Sequence, residues 1–226
     1  MCCWPGSANW RRWREAAGGN VTTVRRVGPA DLAAAVAVLV ESHLDYVWER
    51  WALPGADRRR HLEALFAADL RLLALPRGEV WMTEDGASVA VWMPATASGE
   101  LPTAAGAELD AVASAAFGDR LAVVDEVDGL IRRVRPPADW YLATMGTRPE
   151  AQGRGLGTAV LGPRLAALDA AGERATLETS DAGNVRFYER LGFEVAAVVD
   201  ALPHGAPATW VMQRHVSTPH GATPHR

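Results

Sequence analysis

The segment Gln152-Gly-Arg-Gly-Leu-Gly157 lies between an apolar run at residues 140–146 and a helical run at residues 156–171. Strand, tight glycine turn and helix is the reading that fits it. Glycine takes positive φ at little cost and lets backbone amides approach a ligand closely. A helix N-terminus leaves its first N–H groups unpaired and carries the positive end of the helix dipole, so such a turn attracts anions. Arg154 adds a charge suited to a pyrophosphate. The same pattern also serves as a plain connection between strand and helix. It is not the dinucleotide fingerprint: counted from Gly153 and Gly155, the third glycine position holds Thr158, and no ribose-binding acid follows at the usual distance. Pro163 is expected to kink the first turns of the helix or delay its regular part.

Downstream, residues 174–179 read as a strand and residues 182–191 as a short helix ending at Leu191-Gly192-Phe193, where Gly192 suits a left-handed cap. Asn184 and Tyr188 fall at i and i+4, on one face of that helix. Phe187, Leu191 and Phe193 read as core. Tyr188 reads either as core or as an acid, since a phenol with an ordinary pKa of about 10 can protonate a thiolate.

Elsewhere, residues 22–27 read as a strand, and Pro29-Ala-Asp-Leu32 opens a helix to about Ser42. Residues 43–56 read as an aromatic-rich loop, and Asp57 as the cap of a helix through about Leu75. Glu84-Asp-Gly86 joins two strands in a hairpin. Residues 99–136 read as two helices parted at Gly118-Asp119, and residues 193–199 and 209–213 as a closing β pair. Hairpins and β-α-β connections together predict an α/β (α+β) domain with a mixed sheet. Residues 1–20 read as a disordered extension that folding and activity do not need, residues 21–214 as the domain, and residues 215–226 as a flexible tail.

Composition removes several chemistries. All 23 basic residues are Arg, so neither a Walker-type phosphate loop nor a Schiff-base lysine is available. Cys2 and Cys3 are adjacent, and neighbours in sequence rarely make a good disulfide; a zinc site needs more ligands at better spacing. A net charge of −4 argues against a nucleic-acid-binding face. No apolar stretch reaches the roughly 20 residues of a membrane span, and no secretory h-region is evident. The expectation is a cytoplasmic protein with no metal, no membrane and no nucleic-acid partner. His43 and His61 read as surface or packing residues, and His215, His220 and His225 as part of the tail.

Gln152-x-x-Gly155-x-Gly157 followed by Asn184-x-x-x-Tyr188-x-x-x-Gly192-Phe193 resembles the acetyl-CoA-binding motifs of the GNAT superfamily of N-acetyltransferases. Gly78-Glu-Val-Trp81, Ala87-Ser-Val-Ala-Val-Trp92, Trp140-Tyr-Leu-Ala-Thr144, Leu177-Glu-Thr-Ser180 and Phe187-Tyr-Glu-Arg-Leu-Gly-Phe193 extend the resemblance to its puromycin N-acetyltransferase branch. It thins in the loop after Tyr46 and through residues 99–136. The resemblance implies the GNAT fold, with a mixed, mostly antiparallel sheet splayed at the acetyl-CoA site and flanked by helices. It also implies direct acetyl transfer from acetyl-CoA to an amine, without a covalent acyl-enzyme.

By the same resemblance, the strand through Met145, Gly146 and Thr147 offers backbone groups to the pantetheine arm, with an N–H near Met145 polarising the thioester carbonyl. Thr147 stands where the family usually has an aliphatic residue. Amides of Gln152, Gly153, Arg154, Gly155, Leu156, Gly157 and Thr158 hold the pyrophosphate, Asn184 contacts the cofactor arm, and Tyr188 is the acid. For the acceptor, Glu178 is the first candidate base, with a solvent-facing or Arg-paired carboxylate as its alternative. Asp45 and Tyr46 match an acceptor-site pair, and Trp48 and Trp51 read as an aromatic wall or as helix packing. The acceptor is a small-molecule amine, puromycin or a related antibiotic. A polyamine, a protein N-terminus and a non-catalytic CoA-binding sensor stay open as alternatives. Homodimerisation is common in the superfamily and undecided by the sequence.

Overall fold

Residues Ser88–Pro94 form a strand, β3, whose side chains alternate between two buried faces of a sheet. Val89 and Val91 pack with Val38, Leu39, Leu70 and Ala74, whereas Ala90 and Trp92 pack with Val160, Leu161, Leu165 and Leu168. A strand apolar on both sides needs helices on both sides, and that requirement organises the domain. The computed structural model describes residues 22–98 and 101–215; the readings for residues 1–20 and for the tail beyond His215 lie outside them.

The other strands are β1 (Val24–Arg26), β2 (Glu79–Thr83), β4 (Trp140–Thr147), β5 (Ala175–Thr179), β6 (Phe193–Val199) and β7 (Thr209–Arg214). They make a seven-stranded sheet in the order β1-β2-β3-β4-β5-β7-β6. Every pairing is antiparallel except β4 with β5. The expected mixed, mostly antiparallel sheet is the one observed.

The main helices are α1 (Leu32–His43), α2 (Val47–Ala52), α3 (Arg58–Asp69), α4 (Thr103–Phe117), α5 (Leu121–Arg133), α6 (Leu156–Ala171) and α7 (Ala182–Glu189). α1 covers Val80, Met82, Val89 and Val91 on one face of the sheet. α5 extends that layer, where Val127 and Ile131 pack with Val211 of β7. α6 and α7 cover the opposite face through Val160, Leu161, Leu165, Leu168 and Tyr188. No helix among the described residues is long and apolar enough to cross a membrane.

Three local expectations change. The stretch expected to be a loop at residues 43–56 contains α2, whose Trp48, Trp51 and Ala52 pack inward, with the two indoles 5.0 Å apart. The helix begun by α3 passes through a π-helical turn at Leu70–Ala74 before ending at Leu75–Arg77. Pro163 neither breaks nor delays α6, which is helical from Leu156. A proline inside a helix costs about 3 kcal/mol. Burial of Leu161, Leu165 and Leu168 around it offsets that, at roughly 1.5–3 kcal/mol per fully buried side chain.

Candidate active site

β4 carries an extra residue. Val91 faces Thr144 but Trp92 faces Leu142, so Ala143 bulges from the ladder. The insertion resets the alternation: Leu142 and Met145 both face α6, and Thr144 turns to the α1 side, where its hydroxyl meets His43. A bulge bends its strand and strengthens the local twist. Pairing of β4 with β5 accordingly stops at Leu142↔Leu177. Beyond that pair β4 bonds only to β3, and Glu178 and Thr179 of β5 bond only to β7. Between the diverging strands opens a cleft of ≈ 710 Å³. Alternate residues of the unpaired edge at 143–147 turn their N–H and C=O groups into it.

The half of the cleft toward α6 is built for an anion. Gly153 (φ +74) and Gly155 (φ +78) both take the left-handed conformation, and an added Cβ on either would meet nothing within 4 Å. Gly155 is the N-cap of α6, and the first amide to bond back is that of Ala159, to the Gly155 carbonyl at 3.0 Å. The N–H groups of residues 153–158 bond to no described residue. Gln152 anchors the turn by donating from Nε2 to the Thr147 carbonyl at 3.3 Å. At Gly157 a side chain would press on Met145 Cε at 3.1 Å, so glycine permits the close approach of α6 to β4. Arg154 is exposed and outside the cleft lining, whereas Gln152, Gly153, Gly155, Leu156, Gly157 and Thr158 line it. Free amides, open space and a helix terminus together fit a phosphate group.

α7 forms the adjoining wall. Asp181 caps it by accepting from the Gly183 N–H at 2.6 Å. Asn184 donates from Nδ2 to Thr179 Oγ1 at 3.2 Å, which fixes its amide at the cleft edge. One turn on, Tyr188 is buried, with its ring edge-on to Phe187 and Phe193 at 5.0 and 5.8 Å. Its hydroxyl has no hydrogen-bond partner among the described residues. Burial, with a smaller push from the neighbouring Tyr46, holds the phenol above its ordinary pKa. The phenol therefore keeps its proton at neutral pH and has one to give.

The opposite half faces α1, α2 and α5. Tyr46 reaches through the opening: its oxygen accepts from the Ser180 N–H at 2.6 Å and bonds Thr179 Oγ1 at 3.0 Å. Asp45 beside it is exposed and does not line the cleft, so the expected acceptor-site pair is not brought together there. Trp48 lines the cleft; Trp51 instead packs under α5 and donates to the His204 carbonyl at 3.0 Å.

Glu178 lines the cleft with both oxygens engaged. Arg135 donates to them at 2.8 and 3.0 Å and the Tyr141 hydroxyl at 3.0 Å. The Arg135 guanidinium lies 4.1 Å from the centre of the Tyr141 ring. With both oxygens already accepting from protein donors, the carboxylate is poorly placed to take a proton from a substrate. The Arg-paired alternative describes Glu178, and the first-candidate base reading does not fit its surroundings.

Two cleft residues escaped sequence reasoning. His43 is not a surface residue: its Nδ1–H donates to the Leu39 carbonyl at 2.8 Å, which leaves Nε2 to accept from the Thr144 hydroxyl at 3.2 Å. Burial lowers its pKa and keeps the ring neutral. Its i−4 relation to Leu39 was the one available signal. Glu49 lines the same half, with its carboxyl pushed up to about 7 by burial and Arg58 opposing. Nothing in the pattern of α2, a helix of two short turns, marked it.

The family model described as an acetyltransferase (GNAT) domain matches residues 116–195, which span β4, the glycine turn, β5 and α7. Solved structures share the fold over most of the chain. One, described as histone acetyltransferase HPA2 and related acetyltransferase from Corynebacterium glutamicum, is 24% identical, covers 89% of this chain and 100% of its own, and has a TM-score of 0.63. Arylalkylamine N-acetyltransferase 2 from Aedes aegypti is 13% identical over 87% and 100% of the two chains, with a TM-score of 0.55. A Drosophila melanogaster polyamine N-acetyltransferase that forms N-acetylagmatine is 15% identical over 87% and 100%, with a TM-score of 0.52. These likenesses concern the fold, while the domain match takes in the β4, glycine-turn, β5 and α7 walls of the cleft and leaves Ser42, His43, Tyr46, Trp48, Glu49 and Thr209 outside it. Residues 116–195 match the GNAT acetyltransferase domain, which makes the protein an acyltransferase.

Proposed function

We propose that the protein transfers an acetyl group from acetyl-CoA directly to the nitrogen of a small-molecule amine. One observation carries the reading: the gap opened by the Ala143 bulge joins an anion-binding turn on one side of the sheet to a carboxylate- and ring-lined hollow on the other. A phosphate-bearing thioester donor and an amine acceptor entering from opposite faces would meet in that gap. Acetyl-CoA supplies the activated carbonyl.

The chain's own groups then divide the work. Amides of residues 153–158 and Gln152 hold the pyrophosphate, with Arg154 at the rim. Edge groups of Met145, Gly146 and Thr147 align the pantetheine arm, and a β4 N–H in this stretch stabilises the charge that builds on the carbonyl oxygen. Asn184 holds the arm against α7. The Tyr188 hydroxyl gives its proton to the departing sulfur. A phenol of raised pKa is a weak acid, so this transfer proceeds in concert with C–S cleavage, as charge grows on a thiolate desolvated by the same walls. Tyr46 and Glu178 shape the acceptor half, with Glu178 fixing Arg135 and Tyr141.

Trp48, Tyr46 and Tyr141 support a flat, ring-bearing acceptor, and with the sequence resemblance they make puromycin the first compound to test. Glu49 and Asp128 on the same wall favour a polyamine as the second reading. Thiol release from acetyl-CoA is the test, run over puromycin, aromatic amines, polyamines and N-terminal peptides. Amine-dependent release is expected for a small amine. Acetyl-CoA binding with no release for any acceptor would make the protein a sensor.

A further inference from the structure

The acceptor half contains three carboxylates whose circumstances differ. Glu178 is locked by Arg135 and Tyr141. Asp128 is paired with Arg132 at 2.8 Å, one turn along α5. Glu49 alone of the three makes no ion pair and no hydrogen bond to a described residue. It stands in the first turn of α2, three residues after the N-cap Tyr46, and both side chains line the cleft. Tyr46 in turn feels the charge of Glu49, and Tyr188 feels Tyr46. Glu49, Tyr46 and Tyr188 all line this one cleft, Glu49 and Tyr46 from α2 and Tyr188 from α7.

We propose that Glu49 is the general base of the reaction, taking the ammonium proton of the acceptor before its nitrogen attacks the thioester. This rests on the N-acetyltransferase reading above. An ammonium has no lone pair, so the nitrogen must lose one proton before attack. It loses a second as the N–C bond forms and the C–S bond breaks. The first goes to Glu49 and on to solvent; the second replaces the proton that Tyr188 gives to sulfur. Acetylated amine, free thiol and one released proton balance the reaction.

The surroundings of Glu49 suit a base rather than a fixed anion. Arg58 of α3 is the cation felt by its carboxyl, and that guanidinium already donates to the Leu53 and Leu44 carbonyls at 2.7 and 3.2 Å. Arg120 near the end of α2 is likewise committed, to the Ala52 and Trp51 carbonyls. Across the cleft, Asp128 and Glu178 carry their own arginines, and His43 of α1 is neutral. With its pKa pushed up to about 7, Glu49 is roughly half ionised at neutrality, the range in which a general base is most effective.

The test compares an alkylamine, protonated at neutral pH, with an arylamine that is already neutral, in wild type, Glu49→Gln and Glu49→Asp. Acetyl-CoA affinity measured on each variant controls for folding. Wild-type kcat for the alkylamine is expected to rise with pH through about 7. Glu49→Gln should lower it by about 100-fold or more and abolish that limb, while changing the arylamine rate by no more than about fivefold. Glu49→Asp should recover at least about a tenth of the wild-type rate. Equal losses for both amines would show that Glu49 only positions the acceptor and would overturn the proposal, as would an unchanged alkylamine profile in Glu49→Gln. If wild type acetylates no amine, the N-acetyltransferase reading itself fails and the base assignment fails with it.

Discussion

Replacing Tyr188 by Phe separates packing from chemistry more cleanly than most substitutions. The ring sits in the core between Phe187 and Phe193, whereas the hydroxyl bonds to no described residue. Deleting it leaves every ring contact in place and breaks no hydrogen bond to a described residue. A buried hydroxyl without a protein partner carries a desolvation cost of about 1–3 kcal/mol unless water meets it in the cleft. Tyr188→Phe should therefore be neutral or stabilising by up to ~1 kcal/mol. In a chain of this size that is a rise in Tm of about 0–4 °C. Acetyl-CoA affinity should change less than about threefold, since the hydroxyl is placed at the sulfur and not at the phosphates. Turnover should fall by about 10²–10⁴, the usual contribution of a general acid, or roughly 3–5 kcal/mol of barrier. Differential scanning calorimetry, acetyl-CoA titration and steady-state thiol release measure the three quantities. Unchanged turnover would remove Tyr188 from the chemistry; a large fall in Tm would show that the hydroxyl is structural.

Two further substitutions probe the walls. Gly155→Val forces a β-branched residue to φ +78 at the cap of α6; acetyl-CoA affinity should drop at least about tenfold as the amides are displaced. Gly86→Val, at a comparable φ of +66 in the β2–β3 hairpin, is the control that should leave affinity intact. Gly146→Ala places a Cβ 1.9 Å from Ser42 Oγ and 2.8 Å from Ser42 Cβ. Rotating the hydroxyl relieves only the first clash, so α1 must shift from β4 at a cost of about 1–3 kcal/mol. Chemical denaturation reads this loss. Adding Ser42→Ala should recover only part of it, because the Cβ remains, and a loss below about 0.5 kcal/mol would contradict the packing.

The glycine turn and the Asn184–Tyr188 face were legible because their requirements are local. Positive φ is written as Gly153 and Gly155, and a helix face is written as spacing of four. The two-helix stretch across Gly118 was legible for the same reason, Gly118 taking φ +53 at the end of α4. What stayed hidden depends on partners distant in the chain. Ala143 bears no mark of a bulge; the mismatch exists only against Val91 and Trp92 of β3. Glu178 looked like an available carboxylate because Arg135, 43 residues away, cannot be assigned to it from spacing. Glu49 lay in a stretch too short to show periodicity, and its raised pKa comes from helices packed around it. The donor side is thus built largely from local signals, and the acceptor side from tertiary ones.

Amide hydrogen exchange with and without acetyl-CoA tests most directly the claim that the donor occupies the gap between β4 and β5. In the free protein the amides of residues 153–158 have no partner among the described residues and should exchange rapidly, as should the edge amides of residues 143–147 that point into the opening. Acetyl-CoA should slow both groups together, along with the first turn of α7, and leave the apolar hollow of Val27, Leu32, Leu75 and Pro76 unchanged. Protection confined to that hollow, or no protection at residues 143–147 and 153–158 at saturating acetyl-CoA, would contradict the site.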